Sequence, residues 1–154
     1  MSVSSMPDFD DWVRRLPDCV TSDSLWKVTA YKQALYARRC AWPDSVNIAR
    51  HRLGEPIGRQ LYRAVASIGA NIADGWSRTT GLDRARFFEY ALSSAREAIV
   101  WYLAAAPVLQ PLLTRQRLSQ LAQLRRLLLV MIQTERRRRG RVTRSSNEDR
   151  SQAD

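Results

Sequence analysis

Residues 55–75 read E-P-I-G-R-Q-L-Y-R-A-V-A-S-I-G-A-N-I-A-D-G, and the fold is decided there. With successive residues turned by about 100°, Ile57, Leu61, Val65, Ile68 and Ile72 fall in one sector narrower than a quarter-turn. That is the apolar stripe of an amphipathic helix. Glu55-Pro56 suits its start, because the N–H that proline lacks has no partner in a first helical turn. Gly75 stands where a C-terminal glycine is expected. Ala64, Ala66, Ala70 and Ala73 flank the stripe, and small residues let neighbouring helices approach closely.

The same period extends outward in both directions. Upstream, Leu25, Val28, Leu35 and Tyr36 recur at helical spacing after Thr21 or Ser22, either of which can cap a helix. Pro43 is predicted to end that helix, and Ala41–Gly54 reads as a loop, with Val46–Arg52 able to form a helical turn. Downstream, the turn Thr79-Thr80-Gly81 precedes a third helix from about Asp83 to Ala106. Its apolar face is Phe88, Ala91, Leu92, Ala95, Ile99 and Tyr102, and Pro107 and Pro111 interrupt it. A fourth helix from about Thr114 to Arg138 carries Leu118, Leu121, Leu124, Leu128, Met131 and Ile132.

Four such helices with short links predict an all-α chain, an antiparallel four-helix bundle over residues 22–138. Only six glycines and six prolines in 154 residues argue against a turn-rich β fold. Residues 1–21 read as a loosely ordered acidic arm, in which Phe9, Trp12, Val13 and Leu16 could form one amphipathic turn docked on the bundle. Residues 139–154 lack apolar anchors and read as a disordered basic tail. One bundle of this size leaves Trp26, Trp42, Trp76 and Trp101 without room at its axis, so a homo-oligomer is expected.

The net charge of +10 is unevenly spread: residues 1–24 carry −3, residues 25–134 carry +10 and residues 135–154 carry +3. A basic folded surface attracts polyanions such as RNA or DNA, or an acidic protein. Cys19 and Cys40 form neither a metal-ligand spacing nor a disulfide framework, which suits a reducing, cytoplasmic setting. Asp8, Asp10 and Asp11 stand where a signal peptide would need basic and then apolar residues. The longest apolar run, Leu127–Ile132, is too short to cross a bilayer, so no membrane partner is expected.

No catalytic residue, cofactor or metal emerges. His51 and Glu55 supply at most two ligands, where zinc sites need three or four. No glycine-rich phosphate loop is present, and no acid is placed to orient His51 toward Ser67 or Ser93. The chain therefore reads as non-enzymatic. Two polar features stand out. Arg63, Ser67, Asn71 and Asp74 form a second stripe on the helix of residues 55–75. They are either a ligand groove or, the favoured reading, an interhelical polar seam in which Arg63 meets Glu97. Arg78, Arg84 and Arg86 around the second connection, with Arg136, Arg137, Arg138 and Arg139 near the C-terminus, are the candidate phosphate contacts. The second set could equally be a solvated helix end, where cations also suit the helix dipole.

Tyr62–Gly75 resembles the R-A-x-x-S-I-x-x-N-I-A-E-G signature of the four helix bundle protein family. That family includes proteins encoded in intervening sequences of bacterial ribosomal RNA genes and accessory proteins of diversity-generating retroelements. Ser24–Val28 is similar to its D-L-x-V-W-K start, and Phe87–Glu97 to its F-L-x-I-A-x-G-S-x-x-E-L segment. Asp74 replaces the family's usual Glu, Ser93 its usual Gly, and the 41–54 link is longer than usual. The resemblance implies a homopentamer with a basic surface. In the retroelement branch it implies nucleic-acid binding in support of a reverse transcriptase.

Overall fold

In a computed structural model, which describes residues 8–151, side chains included as far as Arg138, the chain is all-α and has no strand among those residues. Its helices are α1 (Phe9–Arg14), α2 (Asp18–Thr21), α3 (Thr29–Ala49), α4 (Glu55–Trp76), α5 (Gly81–Ala105) and α6 (Pro111–Ser151). Short 3-10 turns at Ser24–Lys27 and Ala106–Val108 precede α3 and α6. The four long helices pack in sequence order, α3 on α4, α4 on α5 and α5 on α6, and a shorter contact between α3 and α6 closes the ring. Links of only four or five residues force each helix to run against the one before it.

The apolar stripe of α4 is the centre of the core. Leu61, Val65, Ile68 and Ile72 are fully buried. Around them lie Phe88, Ala91, Ala95 and Tyr102 of α5, Leu121, Leu124 and Leu128 of α6, and a run of alanines on α3. Two glycines set how closely α4 approaches its neighbours. A Cβ on Gly58 would lie 2.6 Å from the Ser45 carbonyl oxygen of α3, and one on Gly75 would lie 2.7 Å from the Phe88 ring. Gly75 is thus a packing residue inside α4. The helix ends one residue later, and no glycine of the described chain has a positive φ.

Pro43 does not end α3, which continues to Ala49 through most of the expected loop. A helical proline deprives the carbonyl four residues back of its donor. Here that carbonyl belongs to Arg39, and Arg39 and Pro43 both lie on the exposed face, where water can take the donor's place. The first helix also begins later than expected, at Thr29, because Ser24–Lys27 forms a separate 3-10 turn capped by Asp23. Thr80 caps α5, its hydroxyl accepting from the Asp83 N–H at 3.1 Å.

The loosely ordered acidic arm of the sequence reading holds two short helices over residues 9–21, and the first of them is the docked amphipathic turn that Phe9 and Trp12 allow. Trp12 is buried, 5.5 Å from the Tyr36 ring and 6.3 Å from that of Trp26, and Phe9 meets Tyr36 edge-on at 5.4 Å. This aromatic cluster supplies the burial that an isolated six-residue helix lacks. Residues 1–7 of the arm lie outside the described residues. At the other end α6 runs on past Arg138 to Ser151, through the segment read as a disordered tail. No proline follows Pro111, and one glycine, Gly140, is the only strong helix breaker. The side chains of residues 139–151, Arg139 among them, and all of residues 152–154 lie outside what is described.

Candidate nucleic-acid interface

The start of α5 packs on the later turns of α6, and this brings the arginines picked out from sequence into one neighbourhood. Most of them are already engaged. Arg84 donates from Nε to Glu135 Oε2 at 3.0 Å and from Nη1 to the carbonyls of Arg78 and Thr79 at 3.0 and 3.2 Å. Arg138 reaches the other oxygen of Glu135 at 3.3 Å, and Arg136 pairs with Glu89. Arg86 donates to the Tyr90 hydroxyl at 2.8 Å, a bond that raises its pKa above the ordinary arginine value. The guanidinium of Arg78 lies 4.4 Å from the centre of the Phe87 ring. Among the described residues only Arg78 and Arg137 of this cluster have neither a carboxylate nor a side-chain hydroxyl as partner.

The polar stripe of α4 faces outward. Arg63 meets Glu97 of α5 at 3.4 Å, the pairing expected from sequence, but both side chains are well exposed. Ser67 donates back to the Arg63 carbonyl at 2.8 Å, Asn71 is half-buried and Asp74 is exposed. The stripe therefore borders solvent on the α3 side, where Arg38, Tyr62, Arg63, Ala66 and Ala70 line a shallow groove with Arg59.

A second groove shares Arg38 and Tyr62 with the first and continues it toward the arm. Its walls also include Trp12, Arg39 and Trp42. Trp42 is 60% exposed. Its ring stands nearly perpendicular to that of Tyr62, centroids 5.2 Å apart. Arg38 is held by its Nε–H, which donates to the Tyr62 hydroxyl at 3.0 Å, with the guanidinium 5.8 Å from that ring. Arg59 pairs with Glu55 at 2.8 Å in an exposed contact. Among the described residues Arg38 and Arg39 have no carboxylate partner.

Reading Pro43 as a stop hid this face, because it left Trp42 in a loop instead of on α3. The signal is present in the chain: Arg38, Arg39 and Trp42 sit at helical spacing, as do Arg59, Tyr62 and Arg63. A buried polar cluster also escaped the sequence reading. Asp44, 5% exposed, accepts from the Tyr102 hydroxyl at 2.8 Å and from Arg117 Nε at 2.7 Å. Burial, and then the Asp44 charge, push the Tyr102 phenol far above its usual range, and burial raises the Cys40 thiol beside it. For Arg117 burial works against the charge, but the hydrogen bond to Asp44 and the other neighbours leave its pKa raised. Through the Asp44–Arg117 pair and the Tyr102 hydroxyl this cluster joins α3, α5 and α6.

His51 and Glu55 are both exposed. Among the described residues no group of three or more His, Cys, Asp or Glu is arranged to hold a metal, and no helix is long and apolar enough to cross a membrane.

Fold and surface together define an all-α four-helix protein in which four exposed arginines, Arg38, Arg39, Arg59 and Arg63, border the face between α3 and α4. The chain belongs to the 23S rRNA-intervening sequence protein family, whose model matches residues 52–132. Its fold is similar to that of a protein of unknown function from the S23 ribosomal protein family of Bacteroides thetaiotaomicron VPI-5482. The two chains are 18% identical with a TM-score of 0.63, over 68% of this chain and 98% of the other. No curated protein matches the chain.

Proposed function

We propose that this protein is a non-enzymatic, cytoplasmic nucleic-acid-binding accessory factor that holds phosphates on the α3–α4 face. The observation that carries the reading is the convergence there of Arg38, Arg39, Arg59 and Arg63 beside an exposed tryptophan. The carboxylates that meet these arginines, Glu55 of α4 and Glu97 of α5, engage Arg59 and Arg63 only through exposed contacts. Such pairs are worth at most about 1 kcal/mol and exchange readily for a phosphate. The family's name refers to an intervening sequence and not to a ligand, so RNA and DNA are both tested. A retroelement setting, with a reverse transcriptase as partner, is the branch that the sequence resemblance adds. Exposed Trp76, Leu103, Leu112 and Val130 support self-association as well. Light scattering is expected to return a multiple of the 17.7 kDa chain, a pentamer on the resemblance.

The test is fluorescence anisotropy with a labelled RNA and a labelled DNA between about 50 and 200 mM salt. Affinity is expected to fall with a logarithmic slope of about −0.7 per phosphate neutralised on a single strand, or about −0.9 on a duplex. Absence of binding to RNA and DNA at about 50 mM salt, where electrostatic attraction is least screened, would remove this reading. An acidic protein partner would then be the better account of the same arginines.

A further inference from the structure

Resting on that reading, we propose that the groove between α3 and α4 takes one unpaired nucleobase on the indole of Trp42, with the flanking phosphates on Arg38 and Arg39. The recognised chemistry is a base outside any duplex between two phosphates, as single-stranded RNA or DNA presents it. Three observations converge. Trp42 exposes more of its surface than any other tryptophan of the chain, 60%, although it stands on a rigid α-helix between helical neighbours. Tyr62 packs against it at an interplanar angle of 77°, which fixes the indole before a base arrives and reduces the entropy lost on stacking. Arg38 is anchored through Nε on the Tyr62 hydroxyl, so its two terminal nitrogens stay available for a phosphate.

The groove holds about 580 Å³, within the range of small-ligand sites, and Trp12 of the arm forms part of its wall. A purely apolar partner would desolvate Arg38 and Arg39 with nothing to pair them. A nucleotide strand answers both halves of the groove, base to aromatic and phosphate to arginine. Beyond it, Arg63 and Arg59 border the shallow groove floored by Ala66 and Ala70, which extends the phosphate track along α4.

Trp42→Ala and Trp42→Phe in the full chain test the site. Trp42 is largely exposed, so circular dichroism should show both folded as wild type. The probes are an oligoadenylate of about 12 nucleotides, the same strand as DNA, an abasic strand of equal length and an RNA duplex. Wild type should bind at least one of the two single strands about tenfold more tightly than the abasic strand. Trp42→Ala should abolish that difference, Trp42→Phe should restore most of it, and the salt slope should not change, because the substitution removes no charge. Preference for one sugar would identify which strand fills the site. Equal affinity for single, abasic and duplex strands, or no effect of Trp42→Ala, would overturn the stacking site while leaving nucleic-acid binding in place. A lower oligomer mass for Trp42→Ala in light scattering would also overturn it, by showing the indole covered by a second copy. Failure of wild type to bind any probe would instead remove the functional reading beneath it.

Discussion

Two sets of arginines sit on this bundle, one where α5 meets α6 and one where α3 meets α4, and folding treats them differently. At the α5–α6 junction Arg84 and Arg138 meet the buried carboxylate of Glu135, and Arg84 also holds two backbone carbonyls. At the α3–α4 face Arg38 and Arg39 have no carboxylate partner among the described residues, and Arg59 and Arg63 have only exposed ones. The sequence shows the same residue type in similar density in both places. What separates them is where carboxylates and carbonyls fall after packing, so counting arginines locates charge but not the charge free to bind an anion.

Arg117 is the extreme of the engaged kind and gives the largest expected effect. Its side chain is 14% exposed and that of Asp44 5%, so Arg117→Ala leaves a buried carboxylate with the Tyr102 hydroxyl as its remaining donor. Breaking a buried pair in this way costs about 3–5 kcal/mol. Urea denaturation should show a loss of that order, and a loss below about 1 kcal/mol would mean that the pair is solvated. Arg84 comes next. Arg84→Ala removes the shorter of the two bonds to Glu135, a residue 8% exposed, and should cost about 1–3 kcal/mol. A loss no larger than that of Arg59→Ala, expected under about 1 kcal/mol, would erase the distinction between the clusters.

The cluster around Arg117 also predicts a pH dependence. Cys40 and Tyr102 have folded pKa values above their reference values of 9.0 and 10.0. As pH rises past those values the unfolded chain loses these protons while the folded chain keeps them, so stability must fall. It is fully present below about pH 8 and declines from about pH 9 upward. Thermal melts across that range should show the decline. Cys40→Ala should flatten its beginning, and Tyr102→Phe its continuation. A melting temperature that stays constant to about pH 11 would show both groups titrating freely in the folded protein.

How much of this was legible depended on whether a feature repeats within one helix or arises between helices. The stripes Leu61–Ile72 and Leu121–Ile132 were legible because burial on one side of a helix imposes the helical period on the sequence. The Thr80 cap was legible because its chemistry is local. Pro43 does not stop α3, since a proline's cost depends on whether the carbonyl it strands faces water, and sequence does not give that. Gly75 does fall at the end of α4, one residue before its last, but the Phe88 ring pressed against it is a reason for the glycine that only the packing shows. The bonds of Arg84 to Glu135 and of Tyr102 to Asp44 join residues 51 and 58 positions apart, and no spacing rule announces them. Arg63 and Glu97 could be matched because each lies on a polar stripe of its helix, yet their exposure could not be read.

The smallest expected effect on stability is the one that most directly tests the comparison. Arg38→Ala with Arg39→Ala removes two exposed side chains, neither in an ion pair among the described residues. The stability change should stay within about 1 kcal/mol, the bond from Arg38 to the Tyr62 hydroxyl being exposed on the donor side. Binding should respond quite differently. Each phosphate that is no longer neutralised changes the logarithmic salt slope by about 0.7 on a single strand, so the double variant should be shallower by about 1.4. Arg84→Ala with Arg138→Ala removes the same formal charge from the α5–α6 cluster, where both side chains hold the buried carboxylate of Glu135. The slope of the folded variant should stay near that of wild type, because a guanidinium that must first leave a buried carboxylate contributes little net attraction. Equal flattening by the two double variants would mean that the strand responds to total charge, and that the partition of arginines between engaged and available has no bearing on binding. Flattening by the α5–α6 pair alone would move the interface to the opposite side of the bundle.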